Sequence, residues 1–343
     1  MTDRNDRKWK DAFLRTSLPL EYLVAQELSK LRYAIQGEYH YLRPNEHGVL
    51  SEFSVDIWSV TSLFKKEIGM WGNLNYLIEC KYCHPSVRWI FAPHSKTDTE
   101  RLMEQSVIHA LDRLCTRQIT DKRPLWRVAN HFPLCFKGVE LHPNDATAQN
   151  IEKGKSQLVY GALRLAIHLS EGQIMNLHDE DLFVEFLCPI LVTTADLYVL
   201  KHGLQLEDFM KAKSHEDVSS LVPALILTNP YSHLLAAYSD DLLRELHAKK
   251  PDIRVRLEQL KQLADKLPGN IGGASTISEN IWFDWDLCEL ARSILVVNYR
   301  NLGSMLKKLR HTAVHAGKSL TRVGILENDL STLKAWVSEH KPT

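Results

Sequence analysis

Three stretches of this chain, "LFVEFLCPILVTTADLYVL", "LVPALILTN" and "SILVVNY", are almost continuously apolar and rich in β-branched and aromatic residues. A strand with one wet face alternates apolar and polar residues. A strand that does not alternate must be covered on both faces, which calls for helices above and below a sheet. "LWRVANHF" reads as a further β-like run. Helical patterns are expected over 19–31, 98–117, 149–169, 239–266 and 301–311, and "LPGNIGGASTIS" (267–278) as a loop rich in Gly and Ser. The fold class is therefore α/β, a mixed β-sheet flanked by helices. At 343 residues there is material for one large or two moderate domains. A break is placed near residue 130, giving 1–130 and an α/β extension over 131–343, with a position near 175 also open.

Charge narrows the function classes. Lys+Arg and Asp+Glu both number 42, so no global positive field advertises a nucleic-acid binder, and any such surface must be local. "MTDRNDRKWKDAFLR" has no apolar signal core, and no later run is long and apolar enough to span a bilayer. A cytoplasmic protein without a membrane partner is expected, its six cysteines reduced thiols.

"NYLIECKYCH" (75–84) admits three readings. Cys80-x-x-Cys83-His84 spells a haem attachment site, and Cys80-x-x-Cys83 alone is half a zinc site or a redox dithiol. "LNYLIECKY", however, is patterned as a strand, on which residues three apart face opposite ways. Cys115, Cys135, Cys188 and Cys288 are scattered singly, so no second pair completes a zinc site. Buried thiols are the simpler account. The same geometry puts Glu79 and Lys81 on one face with Leu77. A plain surface salt bridge would explain that pair equally well if it stood alone.

It does not stand alone. In "LSEFSVDIWSV" (50–60), Phe53, Val55 and Ile57 alternate with Ser54, Asp56 and Trp58, as in a second strand. Residues 61–74 are expected to connect the two. If the strands pair antiparallel, Asp56 lies beside Glu79, with Cβ atoms about 5 Å apart. Two adjacent carboxylates repel unless a cation sits between them, and Mg²⁺ suits hard oxygen ligands. A lysine beside its water can orient that water and offset charge on a phosphate.

"LEYLVAQEL", "SVDIW" and "ECK", in that order, resemble the opening helix, aspartate strand and E-x-K strand of the PD-(D/E)xK nuclease superfamily. Val55 stands where the name-giving motif has proline. The resemblance covers about residues 19–92. It implies a restriction-endonuclease-like core in the N-terminal part and Mg²⁺- or Mn²⁺-dependent hydrolysis of phosphodiester bonds, DNA ahead of RNA. Asp56 and Glu79 would bind metal, the Cys80 carbonyl would add a ligand, and Lys81 would be the catalytic lysine. Glu21 would be the opening-helix acid, with Glu27 competing because it falls nearer the middle of the Leu20/Val24/Leu31 stripe. The likeness to restriction and anti-phage effectors implies a defence role, with a homo-oligomer or a partner protein restraining the enzyme.

Further candidates are Gln157-x-x-Tyr160, on a helix where some branches carry a glutamine supporting the lysine, and His40 on the strand after the opening helix. Leu290 to Leu326 holds no acid, while Arg292, Arg300, Lys307, Lys308, Arg310, Lys318 and Arg322 are basic. Lys307, Lys308 and Arg310 are thus expected to grip a phosphate backbone in the groove of Asp56 and Glu79. Two alternatives stand beside the nuclease: a non-catalytic nucleic-acid-binding or assembly protein on the same fold, and a metal-independent ribonuclease using Arg310 and His315, a spacing that resembles the HEPN ribonucleases.

Overall fold

The computed structural model describes residues 9–10, 12–14, 16–45, 47–65, 70–95, 106–112, 117–119, 121–175, 182–229, 232–249 and 287–322. Its first helix, α1 (Leu18–Lys30), forms for local reasons. Proline sits in the first turn, Glu21 and Lys30 complement the helix dipole, and Leu20, Val24 and Leu28 make the buried stripe. Strands β1 (Ala34–Pro44), β2 (Leu50–Lys65) and β3 (Met70–Lys81) follow as an antiparallel meander. Asn45 Oδ1 accepts the N–H groups of His47 at 2.9 Å and Val49 at 3.0 Å, fixing the β1–β2 turn, and Gly48 takes φ +73° there. The expected connection over 61–74 is itself strand: β2 and β3 pair out to Lys65 and Met70, because Leu63 and Leu74 are buried in the same layer.

The chain continues through β4 (Arg88–Pro93), β5 (His109–Ala110), β6 (Arg117–Ile119), helix α2 (Arg123–Ala129), β7 (Leu134–Leu141), β8 (Ala146–Thr147) and the long helix α3 (Gln149–Met175). Then come β9 (Leu182–Thr193), β10 (Asp196–Leu200), α4 (Leu206–Lys211), α5 (His215–Val218), β11 (Ser219–Val222), β12 (Ala224–Thr228), α6 (His233–Lys249), β13 (Ser293–Asn298), α7 (Leu302–Gly317) and β14 (Leu320–Arg322). Among the described residues twelve strands form one mixed sheet, in the order β1-β2-β3-β9-β13-β12-β7-β4-β10-β11, with β5 on β9 and β8 on β7.

Along β9, Leu187 and Leu191 enter the layer beneath α3 and α6, while Phe186, Cys188, Ile190 and Val192 enter the layer holding α1, α2 and α7. The apolar runs are thus covered on both faces. The sheet does not divide at residue 130: β3 pairs with β9 from Met70↔Leu182 to Lys81↔Thr193, and β4 pairs with β7 and β10.

Two expected elements differ. In the described part of the 98–117 helix, His109–Ala110 is a strand on β9. Ser106 Oγ accepts the Ile108 N–H at 3.1 Å, and the Leu111 N–H goes to the Glu185 carbonyl of β9 at 2.8 Å, so these backbone groups are taken by partners other than a helical turn. "LWRVANHF" is mostly helix α2, because proline opens its first turn and Leu125 and Val128, three apart, are its buried residues. Residues 250–266 of the fourth expected helix and the 267–278 loop lie outside the described residues. Among the described residues no helix is long and apolar enough to cross a membrane.

Candidate metal-dependent active site

The β1–β2 register passes from Gly37↔Trp58 to Tyr39↔Val55, so Asp56 and Ile57 together oppose Glu38. This bulge breaks the alternation expected for β2. Val55 and Trp58 pack in the α3 layer and Ile57 in the α1 layer, in place of a single Phe53/Val55/Ile57 face. At the same place the β2–β3 ladder ends, its last pair being Ile57↔Ile78. Asp56 therefore meets β3 through its side chain: Oδ2 accepts the Cys80 N–H at 2.7 Å.

Beyond that point Glu79 and Lys81 continue to pair only with β9 and project to the α3 side with Leu77. Lys81 Nζ donates to Glu79 Oε1 in a short contact, and to Gln157 Oε1 at 3.2 Å. Gln157 is itself fixed, its Nε2 donating to the Ser54 carbonyl at 2.9 Å and its own carbonyl accepting from Tyr41 Oη at 3.1 Å. Close approach of α3 depends on Gly154, where a Cβ would stand 2.7 Å from Leu191 Cδ1 and 3.3 Å from Lys81 Cε. Glu79 is 1% exposed, and its Oε2 is buried with no hydrogen-bond partner.

Burial, and then the Asp56 charge, push the Glu79 carboxyl up to about 8, against the pull of Lys81. Burial also raises Asp56, with Glu38 adding to it while the Cys80 N–H and Lys81 act in the opposite sense. Glu21 is raised by burial and then by Asp56 and Glu38, and is lowered by Lys81, so it stands within electrostatic reach of Asp56 and Lys81. Glu27 bonds Lys30 at 3.2 Å and packs where Gly303 begins α7, so of the two candidate helix acids Glu21 is the one placed near Asp56.

The other candidates are placed as follows. Cys80 gives its N–H to Asp56, while its thiol is buried in the α1 layer. Cys83 lies in the α3 layer, accepting from Thr193 Oγ1 at 3.6 Å, and His84 Nδ1 bonds Ser86 at 2.7 Å. The two thiols thus face away from each other, and Cys80, Cys83, Cys135 and Cys188 are free and buried. His40 is exposed, within 3.2 Å of a Glu52 oxygen and 3.7 Å of a Glu38 oxygen.

Lys307, Lys308 and Arg310 lie on α7, across the sheet from α3. Arg310 Nη2 approaches the Ser62 carbonyl at 3.5 Å, six residues along β2 from Asp56 and thus roughly 20 Å away, and Lys308 sits 5.0 Å from the Phe132 ring. These residues stand away from the carboxylates, not beside them. Arg310 and His315 are about 140° apart around a helix packed on a sheet, not on one face within a bundle.

Two participants carried little sequence signal. Glu38 on β1 acts electrostatically on both Asp56 and Glu21, and the one hint is the neighbouring Gly37, at φ +106° where the register shifts. Lys153, which pulls on Asp56, belongs with Ser156, Gln157 and Tyr160 to an i, i+3, i+4, i+7 stripe, a spacing ordinarily occupied by core residues. Among the described residues no three or more His, Cys, Asp or Glu side chains are gathered around a metal position. The pair Asp56 and Glu79 offers hard oxygens, one of them unpartnered, with Glu21 nearby, which fits Mg²⁺ better than a soft metal. No protein-family model matches the chain, and neither a curated protein nor a solved structure matches it.

Proposed function

We propose that this protein is a Mg²⁺- or Mn²⁺-dependent nuclease with a restriction-endonuclease-like core. The observation that carries the reading is Glu79: a fully buried carboxylate between Asp56 and Lys81, with one oxygen left without a partner, where the β2–β3 ladder ends. A buried like-charged pair with a spare oxygen is destabilising unless a cation completes it. Asp56, Glu79 and Glu21 are the residues that would hold the metal, which would supply charge neutralisation and polarise a phosphoryl oxygen when bound. Lys81, kept in place by Gln157, orients the attacking water and offsets charge on the phosphate.

A second reading draws on the same contacts. Lys81 already bonds Glu79, and Asp56 already caps the Cys80 N–H, as in a structural ion pair of a binding or assembly protein. One experiment separates the two: Mg²⁺ and Mn²⁺ binding by calorimetry, alongside cleavage of plasmid DNA, single-stranded DNA and RNA. Wild type is expected to bind metal and cut in an EDTA-sensitive way. Glu79→Ala is expected to lose both activities, and Lys81→Ala to lose cleavage. Wild type that neither binds metal nor cuts, with Glu79→Ala altering only stability, would leave the ion pair. RNA cleavage that persists in EDTA would move the chemistry elsewhere.

A further inference from the structure

We infer that Arg43, together with Ser156 and Lys153, forms a phosphate-binding subsite for the polynucleotide strand entering the Asp56–Glu79–Lys81 site; this rests on the nuclease reading above. Arg43 leaves β1 with its guanidinium between two rings, 4.1 Å from the Phe53 centroid and 4.4 Å from that of Tyr160. Nη1 donates to Ser156 Oγ at 3.2 Å, whereas Nε is buried with no partner. Among the described residues Arg43 makes no ion pair. A guanidinium offers five N–H donors in a rigid fork suited to a phosphate. Rings on both sides hold that fork in one orientation, so little freedom is lost when an anion binds.

Its placement supplies the second argument. Successive residues of α3 hold the two cations, Ser156 the Arg43 guanidinium and Gln157 the Lys81 ammonium. Lys153, one turn earlier on the same stripe, is exposed and pulls on Asp56. Glu152, the neighbouring acid on α3, is occupied by Lys155. Lys153, Lys81 and Arg43 thus string along one helix face, across strands β1 to β3. Two strand spacings amount to about 10 Å, a few nucleotides of a chain rising about 3.4 Å per residue. A purely structural pin between Phe53 and Tyr160 would explain the stacking, but not a guanidinium without a carboxylate partner among the described residues, held one helix residue from the Lys81 anchor.

The test is fluorescence anisotropy of labelled oligo-dT and oligo-U on the full chain in EDTA, across a salt series. Three variants are compared: Arg43→Met, Ser156→Asp and Lys153→Met. Ser156→Asp leaves Arg43 between its rings and pairs it with a carboxylate, so it decides the matter if Arg43→Met fails to fold. Each is expected to weaken binding about tenfold and to lower the salt slope by about 0.7, the counterion release of one phosphate contact on a single strand. With Mg²⁺ present, KM of Arg43→Met and Ser156→Asp should rise while kcat holds. Variants that fold, and that bind and cut with wild-type Kd, slope and KM, would overturn the subsite and leave the nuclease standing. Wild type that binds no oligonucleotide would overturn both.

Discussion

Two buried carboxylates share one face of the β3–β9 pair, and they are completed differently. Glu185, opposite Asn73 in the register, receives the Asn73 amide at 3.0 Å on one oxygen and the Asn75 amide at 2.6 Å on the other. Asn75 in turn accepts from Trp58 Nε1 at 3.1 Å. Glu79, roughly 20 Å along β3 from Asn73, has a lysine on one oxygen, nothing on the other and a second carboxylate beside it. Neutral amides on both oxygens make a closed knot that holds strands together. An unpaired oxygen beside a like charge leaves an open site, one that a cation would complete under the nuclease reading.

Breaking that contrast at Glu79 should have the largest effect. Glu79→Gln and Lys81→Ala are each expected to lower the cleavage rate on the order of a thousandfold, about 4 kcal/mol in the barrier. Thermal melting of Glu79→Gln should stay within a few degrees of wild type, since a buried like charge has been removed. A large drop in its melting temperature would make Glu79 a structural group like Glu185.

The closed knot should announce itself through pH. Burial pushes the Glu185 carboxyl up from 4.5 to about 7 against the two amides. A carboxyl raised in the folded state adds stability that is complete below the unfolded value and is lost as pH rises through the folded one. Urea unfolding of wild type is thus expected to lose about 3 kcal/mol from this group between about pH 4.5 and 7. Glu185→Gln should flatten that slope, and an unchanged slope would remove Glu185 as its cause. Asn75→Leu, which strands Trp58 Nε1 and a Glu185 oxygen, should cost about 2 kcal/mol while leaving metal binding intact. Gly154→Ala sharpens the comparison from the helix side. Its Cβ would press on Leu191 and the Lys81 stem, so a rate loss of about tenfold with only about 1 kcal/mol of destabilisation is expected. A loss of stability with an unchanged rate would mean that the crowding is felt by the core alone.

How legible each part was in the letters depended on the range of the cause. α1, the β1–β2 turn and the E-x-K face follow from capping, turn chemistry and a period of two, all local. "LWRVANHF" misled because so short an apolar run does not distinguish a covered strand from a buried helical segment. The segment near 109 misled because pairing with β9 overrode a helical spacing.

The sequence by itself determined that a sheet covered on both faces must form, and that Glu79 and Lys81 share a side of one strand. Only the tertiary structure decided that a bulge re-aims Asp56, and that Glu21, not Glu27, joins it. It also decided that Gln157, 76 residues from Lys81, and Ser156, 113 from Arg43, grip the two cations side by side. Side-chain periodicity is a property of neighbouring residues. Where a strand ladder stops, and which helix face crosses it there, is set by how distant apolar surfaces pack, and no local pattern encodes that.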